Sequence, residues 1–188
     1  KLLRSTFESF KPDYCYNLHD QRTIYGIESD AIRPATVSFL APAYNENREV
    51  NEVRAKAIKV IIAMNKILQE FIPNQVGRFD DSYNANCVGD TFQSLGVPTI
   101  LFESGHYPGD FQREQTRRLI CTSLLVALTK IASSDYELPE KQYFTIPENQ
   151  QNFVDLIVTN IPITTNDRKA IKDIAIQYQE MLDNGRIV

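Results

Sequence analysis

The chain alternates short apolar runs with amphipathic stretches, and their two periods sort it into elements. Leu2 to Phe10 spaces its apolar residues as a helix does, and Lys11-Pro12-Asp13 ends it. Tyr14 to Leu18 reads as a strand that delivers His19 and Asp20, and Gln21 to Pro34 as a polar, irregular loop. A loop of that length inside a compact domain is often functional. Ala35 to Leu40 predicts a second strand, closed by Ala41-Pro42. Glu46 to Phe71 is the clearest helix, with Val50, Val53, Ile58, Ile61, Ile62, Leu68 and Phe71 in a stripe and Pro73 as its stop. Phe79 to Phe92 reads as a polar, aromatic loop. Val97 to Phe102 then has the β-branched and aromatic texture of a buried strand, ended by Glu103 and broken by Gly105, Pro108 and Gly109. Phe111 to Ala132 predicts another helix, apolar at Leu119, Ile120, Leu124, Leu125 and Leu128.

That succession of strands and helices predicts an α/β domain. After Ser133-Ser134-Asp135 the texture changes to short runs separated by Pro147 and Pro162. Thr165-Asn166-Asp167 offers N-caps for a helix through Leu182, ended by Asn184-Gly185. The expected division is therefore residues 1–134 as the main domain and 135–188 as a helical C-terminal extension packed on it.

Composition narrows the partners. A formal net charge of −4 with no Lys/Arg cluster argues against nucleic acid. No apolar run approaches the ~18 residues of a membrane span, and no secretory signal pattern occurs. The chain begins without methionine, so its true N-terminus is expected upstream. Cys15, Cys87 and Cys121 are scattered, which fits free thiols in a reducing, cytoplasmic setting better than a disulfide frame.

Chemistry concentrates at two strand ends. In an open α/β sheet, ligands gather beyond the carboxyl ends of the strands. His19 stands at one such end, where it either ligates a metal or is a hydrogen-bonded core or surface histidine. Glu103 stands at another, where it acts on a ligand, caps the following turn, or pairs with Arg113, Arg117 or Arg118. Gly105 and Pro108 argue against a helix that would align Glu103 with His106, so His106 is read as part of the pocket wall or the loop's own hydrogen bonding. No Gly-x-Ser-x-Gly elbow, His-Glu-x-x-His pair or Gly-rich phosphate loop is present. Cys87 is read as an inert thiol.

Tyr16-Asn17-Leu18-His19-Asp20, then Asp81-Ser82-Tyr83-Asn84-Ala85-Asn86, then Pro98-Thr99-Ile100-Leu101-Phe102-Glu103-Ser104-Gly105 occur in an order that resembles the C-terminal part of a zinc carboxypeptidase of the M14 type. The likeness covers about residues 1–132. It implies a mixed twisted sheet flanked by helices, with His19 as the third zinc ligand and Glu103 as general base and acid. It also implies Tyr83 as a tyrosine that folds over substrate and Asp90 near the specificity pocket. The family's first two zinc ligands lie in an earlier His-x-x-Glu motif, which this chain lacks, as it lacks the substrate-gripping Asn/Arg pair. The resemblance therefore implies a piece of a longer, zinc-dependent enzyme acting on a peptide, inactive as the isolated chain. Asn-Leu-His-Asp and Glu-Ser-Gly also resemble the succinylglutamate desuccinylase and aspartoacylase branch, whose substrates are small N-acyl amino acids. A degenerate domain used only for binding is the third alternative.

Overall fold

The computed structural model describes residues 2–165, 168–179 and 181–187. They divide into two compact units, one running to Gln151 and one from Asn152 onward. The division falls at 151/152 rather than 134/135, because residues 140–151 are knitted into the first unit.

The first unit is a mixed α/β fold. Helix α1 (Leu2–Phe10) precedes strand β1 (Cys15–Asp20), and β2 (Tyr25–Glu28), β3 (Ile32–Pro34) and β4 (Val37–Leu40) follow. Helix α2 (Glu52–Phe71), strand β5 (Val76–Arg78), helix α3 (Val88–Ser94), strand β6 (Thr99–Ser104) and helix α4 (Glu114–Ser133) come next. The main sheet has the order β1-β6-β4-β5, with β1 parallel to β6, β4 antiparallel to β6, and β4 parallel to β5. The expected loop 21–34 is instead largely a hairpin, β2 with β3, joined by the two-residue strand β7 (Gln150–Gln151).

One face of the main sheet carries the core. Val37, Phe39, Ile100 and Phe102 pack with Ile58, Ile61, Met64 and Leu68 of α2 and with Leu119 and Ala127 of α4. Burial of such side chains is the main stabilising contribution, on the order of 1.5–3 kcal/mol each. The 3₁₀ turn Glu140–Thr145 closes this core with Tyr143, which is fully buried and accepts the Ala41 N–H on its hydroxyl at 3.1 Å.

Helix starts differ from the pattern for local reasons. Residues 46–51 do not join α2, because Arg48 takes a left-handed φ of 55° and Asn51 caps the helix by accepting the Arg54 N–H at 2.9 Å. Helix α4 begins at Glu114 because the Asp110 carboxylate accepts the N–H groups of Glu114, Gln115 and Thr116. Side-chain acceptors at these positions satisfy donors that the first turn leaves free.

The second unit corrects the expected helical extension. Leu156–Thr165 (β8) and Arg168–Ile176 (β9) pair as an antiparallel hairpin, with a register shift between Val158 and Ile161. Ile, Val and Thr at a period of two suit a strand better than a helix. Of the expected capping trio, Asn166 and Asp167 lie outside the described residues. Asn184-Gly185, expected as a helix end, joins β10 (Leu182–Asp183) to β11 (Arg186–Ile187) with both residues at positive φ, 48° and 78°. Asn-Gly favours that two-residue hairpin turn. Among the described residues no helix is long and apolar enough to cross a membrane.

Candidate active site

Register sets the geometry. On the parallel pair β1/β6, Asn17 lies opposite Leu101 and His19 opposite Glu103. Residues two apart on a strand share a face, so these four project together. Tyr16 and Phe102, at the alternate positions of their strands, turn the other way, where their rings meet edge to face at 5.2 Å. Asn17, His19, Leu101 and Glu103, with Leu40 of β4, form the floor of a cavity of about 810 Å³. Pro42 and the segment Phe79, Asp80, Ser82, Tyr83 and Asn84 make one wall, and Cys87, Val88, Gly89 and Asp90 at the start of α3 make another.

All four candidate residues, His19, Glu103, Tyr83 and Asp90, thus border one space. His19 is exposed at its rim and Tyr83 is half-buried. Asp90 is buried, and its Oδ1 accepts the Asn84 N–H at 3.1 Å. Loss of water raises its pKa, a shift that these backbone hydrogen bonds partly offset. His106, expected in the pocket wall or the loop's own hydrogen bonding, does not border this cavity; its carbonyl accepts the Thr36 hydroxyl at 2.7 Å. Cys87, read from sequence as inert, is an exposed thiol on the cavity wall.

Glu103 is the unusual member. It is 6% exposed, and no hydrogen bond or ion pair reaches its carboxyl group among the described residues. Two of the three arginines that offered it a partner are engaged elsewhere, and the third, Arg118, is exposed. Arg113 binds Asp20 at 2.7 Å and the Ser104 carbonyl at 2.6 Å, and Arg117 binds Glu114. Burial, and secondarily the negative charge of Asp20, push the Glu103 pKa up to about 7. Desolvation disfavours the charged form of a carboxyl in this way.

The strand ends are braced from behind. Gln21, next after β1, donates its side-chain amide to the Ala35 carbonyl at 3.0 Å and its backbone N–H to Ser104 at 2.9 Å. The Ser38 hydroxyl donates to Asn149 Oδ1 at 3.0 Å. Gly105 passes so close to this layer that a Cβ there would sit 1.9 Å from the Ala35 oxygen. Only glycine allows the chain to leave β6 along this path.

Zinc was the cofactor expected from the resemblance. Among the described residues no group of three or more His, Cys, Asp or Glu side chains is placed to hold a metal ion. Catalytic zinc takes about three protein ligands, and His19 is the one imidazole on the cavity. The residues of this chain do not by themselves fit the metal.

No family model matches the chain, and no curated protein or solved structure matches it.

Sequence reasoning missed one residue that shapes the site. Arg54 is 0% exposed and forms an ion pair of 2.7 Å with Asp81. A signal was present. Arg54 precedes Ile58 by four residues and Ile61 by seven, so it falls on the buried stripe of α2.

Proposed function

We propose that the cavity is a hydrolytic site for a peptide or amide bond, with Glu103 as its general base and acid. One observation carries this reading: a buried carboxyl group with no partner, its pKa near 7, opening beside His19 into a cavity of about 810 Å³. A carboxyl at that pKa both accepts and returns a proton near neutral pH. Glu103 takes a proton from the attacking water, whose oxygen bonds to the carbonyl carbon. It then passes that proton to the nitrogen as the carbon–nitrogen bond breaks. Tyr83, which borders the cavity, would cover a bound substrate.

The proposal concerns the parent protein. In the metallocarboxypeptidase reading, zinc would polarise the scissile carbonyl, and His19 would be one ligand with the others supplied from outside these 188 residues. The isolated chain is then inactive and takes up no stoichiometric zinc; one tightly bound zinc per chain by metal analysis would contradict this. The amidohydrolase alternative shares the chemistry. Its small acidic substrates fit the wall less well, since among the described residues Asp80, Asp90 and Glu103 border the cavity and no lysine or arginine does. A purely binding domain would use the same carboxyl to pair with a cationic or hydrogen-bond-donating ligand, and absence of hydrolysis in the parent protein would favour it.

The test is Glu103→Gln in the parent protein. Loss of amide hydrolysis by roughly 10²–10⁴-fold with the fold retained is the expected result. Activity within a few-fold of wild type would remove Glu103 from the mechanism.

A further inference from the structure

We propose that Arg54 is a positioning residue for the cavity, fixing two segments of its wall without bordering it. Arg54 Nε donates to the Ala41 carbonyl at 3.1 Å, Nη1 to the carbonyls of Arg48 at 2.6 Å and Glu49 at 3.3 Å, and Nη2 to Asp81 Oδ2 at 2.7 Å. Ala41 lies between Leu40 and Pro42, and Asp81 lies between Asp80 and Ser82. All four flanking residues border the cavity. One planar guanidinium therefore holds the exit of β4 and the segment that carries Tyr83 at a set separation.

Tyr83 itself has no hydrogen-bonded partner among the described residues, yet it sits between two anchored neighbours. Asp81 is fastened to Arg54 on one side, and the Asn84 N–H to Asp90 on the other. The position of the tyrosine follows from those two anchors. Arg48 also reaches Asp81, at 3.4 Å, but its side chain is half exposed and holds less firmly. A lysine at position 54 would carry the charge without the fork. A single ammonium presents its donors from one point and does not span Ala41, Arg48 and Asp81 together.

Hydrogen exchange by mass spectrometry on the purified chain tests this in wild type, Asp81→Asn and Arg54→Lys. In Arg54→Lys, peptides spanning 41–50 and 79–87 are expected to exchange on the order of tenfold faster; in Asp81→Asn the rise is confined to 79–87, and in both variants β6 and α4 keep their protection. An equal rise in β6 and α4 would reduce Arg54 to a general stabiliser and overturn the proposal. Unchanged exchange in 79–87, or wild-type behaviour of Arg54→Lys, would overturn it too. Should Arg54→Lys fail to fold, Asp81→Asn decides alone, since it leaves the guanidinium bonded to three carbonyls.

The consequence for substrate rests on the hydrolytic reading of the cavity. In the active parent, Asp81→Asn is expected to raise KM with kcat within about twofold. Absence of hydrolysis in the parent would count against that reading and leave the exchange result standing.

Discussion

Arg54 and Glu103 are both ionisable side chains taken out of water, and the fold treats them in opposite ways. Around Arg54, three carbonyls and the Asp81 carboxylate occupy the guanidinium. Burial alone would raise the Asp81 pKa, but the hydrogen bond and positive charge of Arg54 hold it below the ordinary carboxylate value. Around Glu103 no partner stands among the described residues, and its proton is retained to about pH 7. Complete pairing makes the first region a fixed joint between α2 and two loops. Missing pairing makes the second a group with proton-transfer capacity at neutral pH. Burial alone distinguishes neither; the partners decide.

The sharpest way to break this contrast is to remove the paired cation. Arg54→Met leaves Asp81 buried without its main partner, and thermal or urea unfolding is expected to show a loss of about 3–5 kcal/mol. A loss under about 1 kcal/mol would mean the joint is not under load.

Glu103 should behave in the reverse sense. Its folded pKa of about 7 lies above its unfolded value of 4.5. Between those values the unfolded chain has released the proton and the folded chain still holds it, so stability falls as pH rises through that window and levels off above it. Glu103→Gln removes this slope. At pH 8 the variant is expected to be more stable than wild type by roughly 2–3 kcal/mol, and near pH 4 to match it. Parallel stability–pH curves for the two proteins would contradict the assignment.

Two smaller effects sharpen the picture. Asn51→Ala removes the cap that starts α2 one turn before its core-facing residues, and about 1 kcal/mol is expected to be lost. Asp20→Asn breaks a rim ion pair with Arg113, and stability is expected to change by less than about 1 kcal/mol. The same substitution removes the secondary cause of the Glu103 shift, so the Glu103 midpoint should move down, by less than burial moved it up.

Strand chemistry was legible in the sequence because strand periodicity is local. Once Val97–Phe102 and Tyr14–Leu18 read as strands, the two-residue period places His19 and Glu103 relative to their neighbours, and only the register was left to tertiary structure. The loop residues Tyr83 and Asp90 border the same cavity, but the stretch Phe79 to Phe92, which reads as loop, contains most of α3 (Val88–Ser94). Seven residues are too few for a helical period to stand out. The tail differs from the helix its pattern predicts because the apolar residues of 156–163 pair across a hairpin with 168–176, a partnership that no local period records. Arg54 escaped notice because its meaning lies in Ala41 and Asp81, far from it in sequence. That Glu103 is unpaired among the described residues is equally invisible in sequence, since three arginines follow it in the chain and whether any of them reaches it is set by three-dimensional placement.

The central claim is that the Glu103 carboxyl group stands alone in a shared cavity with His19, and a ¹³C NMR titration of that carboxyl measures it directly. A midpoint near 7 is the expected result. A midpoint in the ordinary glutamate range, about 4.3, would mean that water or a cation reaches the group freely, and the account of the site would fail.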